Sequence, residues 1–411
     1  MNKQIHIPHL VAILIVAFTI IKLNAQTPIL NLHLKDKPQN FLEDKIEFDE
    51  NIQDTPMLTV TLRKIQQDLQ AQGYLAASVD SIFRKDSLTY LAQLHIGEAY
   101  QWLALRNGDV EEIWLSKAGF RAQLYREKPL DIRRVRKLQD ALLTEAENNG
   151  FPFASTRLDS ILIEKNQVSA ALTMTKGTYV EVDTIRVAGR LEISKKYLEN
   201  YLGIPPDSPY DKSKILRIPQ RIRELPFVKE TKPLDLTFYA NRAVINLYLE
   251  PKKASRFDFI IGVLPNTVNN GTIETTTFTL TGDLKGEFYN TFGLGEHILV
   301  ELEQLRPLTP RLNLAINYPY VLNTPFGADA KLRIFKQDTS FLEVASDLGV
   351  QYLLEGGNYI KAFWNNQSSD LLEVDTIQLK QAGRLPENLD FTFNAFGLEY
   401  QQQQLDYRFN P

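Results

Sequence analysis

The sequence predicts an α+β array of repeated β-α-α-β-β units followed by an antiparallel transmembrane β-barrel, of which about eight strands are present. Three observations predict it. A grammar of helix, glycine and paired strands recurs about every 75–80 residues up to Pro251. From Ser255 onward the text alternates apolar and polar residues with period two. The N-terminus carries a short basic region and an apolar core of export type.

The junction between the two kinds of sequence lies in Tyr179–Leu264. Val180–Val187 reads as a strand whose apolar parity slips between Val182 and Ile185, as a bulge would cause. Ser194 can cap a helix carrying Tyr197, Leu198, Tyr201 and Leu202, and Gly203 closes it. Asp211 can cap a second helix carrying Ile215, Ile218, Ile222 and Leu225. Ala243–Leu249 then places Ile245, Leu247 and Leu249 on one strand face and Asn246 and Tyr248 on the other.

Earlier copies share this grammar. A helix through Leu62, Ile65 and Leu69 ends at Gly73, followed by Tyr74–Ile82, a turn at Lys85-Asp86, and Leu88–Ile96. A helix through Val135, Leu138, Leu142 and Ala146 ends at Gly150, followed by Phe151–Ile161, a turn at Lys165-Asn166, and Val168–Thr175. Each copy has an aromatic after the helix-ending glycine, then Ala-Ser and Asp-Ser-Ile. Leu225-Pro-Phe-Val228 to Glu250-Pro251 is a weaker third copy. The helix-ending glycines read as C-caps, a structural role that needs no chemistry. In the tail, Leu312, Leu314 and Ile316 alternate with Arg311, Asn313 and Asn317, and Ala328, Ala330, Leu332 and Ile334 with Asp329, Lys331 and Arg333. Such strands suit a transmembrane barrel or, with the polar face outward, a soluble sandwich. The export segment and the aromatic residues near strand ends (Tyr289, Tyr318, Phe326, Tyr352, Tyr359, Trp364) favour the barrel.

Length and composition narrow the function. At 411 residues the chain has room for several domains, and 44% hydrophobic with 23% charged residues is ordinary for folded protein. A formal net charge of −4 gives no basis for a nucleic-acid partner. With no cysteine there is no disulfide, thiolate metal site or Cys nucleophile. Leu10–Ile21 is too short for a spanning helix, and Leu23-Asn-Ala25 is a plausible cleavage site, so residues 1–25 read as a signal peptide. His33, His95 and His297 lack metal-ligand spacing, and neither a Gly-x-Ser-x-Gly elbow nor a phosphate-binding loop occurs. No catalytic, metal or cofactor residue is expected. Arg133, Arg134, Arg136 and Lys137 form a basic run on a helix, read as a solvated face that could also touch a partner or anionic headgroups.

Several segments resemble a known family. Val182-Asp-Thr-Ile-Arg-Val-Ala-Gly189, Pro209-Tyr-Asp211, Leu225-Pro-Phe-Val228 and Ile245-Asn-Leu-Tyr-Leu-Glu250 resemble polypeptide-transport-associated (POTRA) domains. Asn290-Thr-Phe-Gly-Leu-Gly-Glu296 and Leu314-Ala-Ile-Asn-Tyr-Pro-Tyr320 resemble the early barrel of Bam- and Tam-type outer-membrane assembly factors. The resemblance implies POTRA-like domains at 26–98, 99–178 and 179–252 and the N-terminal part of an outer-membrane barrel at 255–411. Two departures stand out. Pro219 falls inside an expected helix, and the family's barrel is about twice as long, so the chain reads as a fragment of a longer protein.

What the resemblance implies is an assembly factor in the outer membrane of a diderm bacterium, with its N-terminal domains in the periplasm. Its partners would be unfolded outer-membrane protein clients, outer-membrane lipid, and accessory periplasmic or lipoprotein subunits. Clients would add a strand to edges at Leu75–Ile82, Ala154–Ile163 and Val228–Phe238, with Leu75, Val79, Ile82, Phe153, Leu158, Ile161 and Val228 as the candidate residues. The first barrel strand, Arg256–Leu264, would be the lateral gate, with Arg256, Phe257, Phe259, Ile261, Gly262 and Val263 as its candidates. Gly262 near its end would ease opening or simply bend the strand. The alternatives are a dedicated two-partner secretion pore and, were Pro411 a true end, a soluble periplasmic binding scaffold.

Overall fold

The computed structural model describes residues 27–43, 45–269, 274–373 and 390–402; the expected signal peptide lies outside them. Contacts divide the chain into two compact units. One holds the residues up to Glu145 together with Ser155–Thr175, and the other holds Ala146–Ala154 together with everything from Lys176 onward.

The first unit contains two small α+β modules. In the first, β1 (Ile29–Leu34) runs parallel to β3 (Thr89–His95), which pairs antiparallel with β2 (Ser78–Asp86). Helix α1 (Thr55–Ala71) starts where the Asp54 side chain accepts from the Met57 amide, with Pro56 in its first turn. Its Leu58, Leu62, Ile65 and Leu69 are buried with Leu30, Ile52, Leu94 and Ile96. A single 3-10 turn, Gln39–Leu42, takes the place of a first helix. The helix ends at Gly73, φ +96°, where a Cβ would collide with the Leu130 carbonyl.

In the second module the strands are β4 (Gln101–Arg106), β5 (Lys128–Pro129), β6 (Ser155–Glu164) and β7 (Gln167–Thr175), in the order β5-β4-β7-β6. Helix α2 (Glu112–Lys117) lies between β4 and β5, and α3 (Ile132–Glu147) carries Val135, Leu138, Leu142 and Ala146 into the core. The two-residue β5 pairs with Gln101 and Trp102 at the start of β4; its sequence carries no strand pattern.

The second unit opens with a third module of order β8-β10-β9: β8 (Glu181–Ala188), β9 (Val228–Tyr239) and β10 (Arg242–Pro251). Ala243 pairs with Val182 but Val244 with Thr184, so Asp183 is the extra residue behind the parity slip in β8. Ser194 caps α4 (Lys195–Leu202) by accepting from the Tyr197 amide, and Gly203 ends it at φ +66°. Asp211 caps α5 (Lys212–Glu224), which continues through Pro219 without a break, anchored by buried Ile215, Ile218 and Ile222. The C-terminal end of α3 belongs with this unit. Gly150 N donates to Tyr210 O at 2.9 Å, Val180 N donates to Gly150 O at 2.7 Å, and Lys212 pairs with Glu147 at 2.8 Å.

Eight strands follow in strict sequential antiparallel order: β11 (Arg256–Asn269), β12 (Glu274–Tyr289), β13 (His297–Gln304), β14 (Arg311–Tyr318), β15 (Phe326–Gln337), β16 (Phe341–Leu353), β17 (Tyr359–Leu371) and β18 (Phe391–Gln401). Each strand pairs with its neighbours in sequence, the up-and-down order of a barrel sheet. Strand β11 runs past its expected end at Leu264, because an edge strand tolerates Pro265. Gly262 therefore sits mid-strand, opposite Thr281, and not near an end. Among the described residues no helix is long and apolar enough to cross a membrane, which says nothing of strands.

Candidate functional site

Strands β2, β6 and β9 each form an edge of their sheet, but the seven candidate residues on them differ in placement. Leu75 lies in the turn before β2, packed on the second module's core, and Phe153 lies in the turn before β6, against Phe238 at 5.0 Å between ring centroids. Both follow a helix-ending glycine, whose reversal is complete only two or three residues later. Val228 is buried, Val79 and Leu158 are half-buried, and Ile82 and Ile161 are exposed.

All three edges are interrupted. Register shifts fall at Val79/Ser81 and Arg84/Asp86 in β2, and at Asp159/Leu162 in β6, where Ser160 has φ +49°. In β9 shifts fall between Asp235 and Lys232, where Pro233 supplies no amide donor, and between Lys232 and Glu230. Bulges and prolines are how sheets blunt free edges, so each edge offers only a few consecutive unpaired residues. The β6 edge is the most apolar, with Ile161, Leu162 and Ile163 exposed in succession.

Strand β11 differs. All 14 of its residues pair with β12 in unbroken register, and among the described residues its other side is unpaired. Its candidates divide between the two sheet faces. Phe257, Phe259, Ile261 and Val263 face one side, while Arg256 and Gly262 face the other. Arg256 is an anchor: its guanidinium reaches Glu287 at 2.7 and 2.9 Å, and Glu287 also accepts from Tyr289 Oη at 2.6 Å and contacts His297 at 3.1 Å.

Register carries the same division across the sheet. One face runs from Phe259 and Leu284 through Leu302, Leu312, Ile334 and Val344. A parallel row runs from Val300 through Leu314 to Leu332, and Leu348, Trp364 and Phe396 continue the apolar surface on the last strands. On this face Phe259, Leu280, Leu302, Leu348 and Phe396 are exposed, Phe259 at 62%, Leu280 at 65% and Phe396 at 83%, and the others are half-buried. The opposite face holds the charges. Lys285 pairs with Glu301, Arg311 reaches Glu303 at 3.5 Å, and Lys361 reaches Asp329 at 2.7 Å. Asp329 and Lys361 are only 6% and 7% exposed, and Gln351 donates to Asp329 at 3.1 Å. Lys361 reaches Asp329 across β16 because Gly349, opposite both Asp329 and Phe363, has no side chain in the way. Individual polar residues on these strands were legible in the sequence; this three-strand network was not, because it depends on register.

Hairpin turns at one end of the sheet grip the third module. The turn Asn290–Glu296 closes on the buried Glu296 carboxylate, which accepts from Phe292 N at 2.6 Å and Leu294 N at 3.1 Å. It receives the third module through Ser194 N donating to Gly293 O at 2.6 Å and Asn290 Nδ2 donating to Glu192 O at 2.8 Å. Gly295, φ +76°, leaves room for the Tyr197 ring, which stacks on Tyr201 and meets Tyr320 edge-on at 5.6 Å. From the next turn Glu355 pairs with Lys214 at 3.1 Å and Arg217 at 3.7 Å. Burial and neighbouring Glu224 push the Tyr201 hydroxyl up, so it stays protonated and donates to Glu224 at 3.3 Å. A cavity of about 500 Å³ lined by Tyr201, Phe227, His297, Asp329 and Lys361 opens between this module and the charged face.

No family model and no curated protein matches the sequence. Among solved structures the chain is similar to BamA from Haemophilus ducreyi lacking POTRA domains 1–3, at 11% identity over 72% of this chain and 57% of that one, TM-score 0.42. It is also similar to CdiB from Escherichia coli, at 12% identity over 85% of this chain and 63% of that one, TM-score 0.41. A third is POTRA3–5 of BamA from Haemophilus influenzae, at 12% identity over 55% of this chain and 96% of that one, TM-score 0.37. The chain thus spans 57% of the length of the first of these.

Proposed function

We propose that the protein is an outer-membrane assembly factor. Its α+β modules capture unfolded β-rich clients in the periplasm, and the edge of β11 templates their strands at the lipid boundary. The observation that carries this reading is the orientation of the eight-stranded sheet, whose apolar face is exposed while its charged face is paired and partly buried. A soluble sandwich would bury the apolar face. In lipid that face is solvated by hydrocarbon, and any stretch of β11 backbone released from a neighbouring strand is too costly to leave unmatched. A client strand satisfies it by exchanging one set of main-chain hydrogen bonds for another, with no external energy. The bulged edges of β2, β6 and β9 suit transient capture, since each holds a client over a few residues only.

Photo-crosslinking tests the reading. A benzophenone amino acid at Ile82, Ile161 or Phe259 is expected to trap urea-unfolded outer-membrane proteins of unrelated sequence, while one at exposed Val60 on α1 does not. Adducts with a single secreted partner alone would point instead to a dedicated secretion pore, and adducts at Val60 equal to those at Phe259 would remove the template role.

A further inference from the structure

The second module concentrates positive charge, most of it without a carboxylate partner among the described residues. Between Lys117 and Lys137 there are eight lysines and arginines but only two carboxylates, Glu127 and Asp131, in a chain of formal net charge −4. Arg133, Arg134, Arg136 and Lys137 lie on the exposed face of the first turns of α3, opposite buried Val135 and Leu138. Cations at a helix N-terminus oppose the macrodipole, so helix stability does not account for them. Arg134 donates to the Leu124 carbonyl at 3.4 Å, which joins this face to the turn carrying Arg121, Arg126 and Lys128. Among the described residues only Arg133 of these seven has a carboxylate within ion-pair distance, Asp131 at 3.4 Å.

One further feature points to the partner. Leu124, 45% exposed, stands beside these cations and gives the basic face an apolar group that can enter a bilayer interface, as apolar side chains do beside Lys and Arg at membrane surfaces. We infer that this face of the second module docks on anionic phospholipid headgroups, their phosphates engaging the guanidinium and ammonium groups while Leu124 enters the interface. This adds a second membrane contact, one that does not require the sheet to insert.

The chain contains no cysteine, so single labels are available without background. The full chain carrying an environment-sensitive dye on Leu124→Cys is mixed with vesicles of phosphatidylcholine alone or with about 30% phosphatidylglycerol, and Leu280→Cys on the apolar sheet face serves as a separate reporter. The expected result is a blue shift at position 124 only with the anionic lipid, lost at high salt. Binding weakens roughly fivefold for each of Arg133, Arg134, Arg136 and Lys137 changed to Gln. The salt titration needs no variant, so misfolding of the substituted chains cannot mask the answer. Equal shifts in both lipids, or an anionic-lipid response indifferent to salt, would overturn the inference. So would a shift produced by polyglutamate without anionic lipid, which would make the face a docking surface for an acidic protein. A silent label at 280 with a responsive one at 124 would sink the membrane-sheet reading and leave this one standing.

Discussion

Asp36 closes the first module by accepting from Ile96 N at 2.9 Å and Gly97 N at 2.7 Å, just where the chain leaves β3. Burial works against its charge, but those two amides and nearby His95 outweigh it and hold the carboxyl below the ordinary range. A carboxyl lowered in the folded state contributes stability above its unfolded value and loses it as pH falls through the folded value. The Asp36→Asn protein is therefore expected to be less stable at neutral pH and to lose less of its remaining stability below about pH 4. Thermal melts of both proteins across that range would check it; parallel pH curves would mean that Asp36 is not the linked group. Arg256 teaches a related lesson. The sequence marks it only as the first residue of an alternating strand, whereas its role as an anchor on Glu287 depends on the register of β12.

Among the elements, helix ends were the most legible, because caps are local chemistry: Ser194, Gly203 and Asp211 all act where the sequence places them. The parity slip in β8 was legible for the same reason, since period-two patterning records an extra residue directly. The short β5 was not, being a two-residue pairing with β4 that no periodicity announces. Nor were the bulges at Asp80 and Ser160, which fall in the polar Asp-Ser step of each copy, where no apolar residue marks the extra position. In α5, Pro219 stays inside a continuous helix at the cost of a main-chain bond. Pro219→Ala should therefore stabilise the third module by up to about 3 kcal/mol, read as a raised urea midpoint. An unchanged or lowered midpoint would mean that the proline geometry is itself part of the packing against Tyr201 and the sheet turns.

At the scale of the whole molecule, the alternation after Ser255 was legible but ambiguous, because a sandwich and a barrel share it. Register and exposure remove the ambiguity by placing the apolar residues of successive strands on one open face and pairing the charges on the other. The most direct test of that central claim is a cysteine scan along β15, from position 329 to 334, with the protein in vesicles carrying a lipid-attached nitroxide quencher. Labels at Ala330, Leu332 and Ile334 should be strongly quenched and those at Asp329, Lys331 and Arg333 weakly, in strict alternation. Uniform weak quenching, or stronger quenching at Asp329, Lys331 and Arg333, would contradict a sheet that presents its apolar face to lipid.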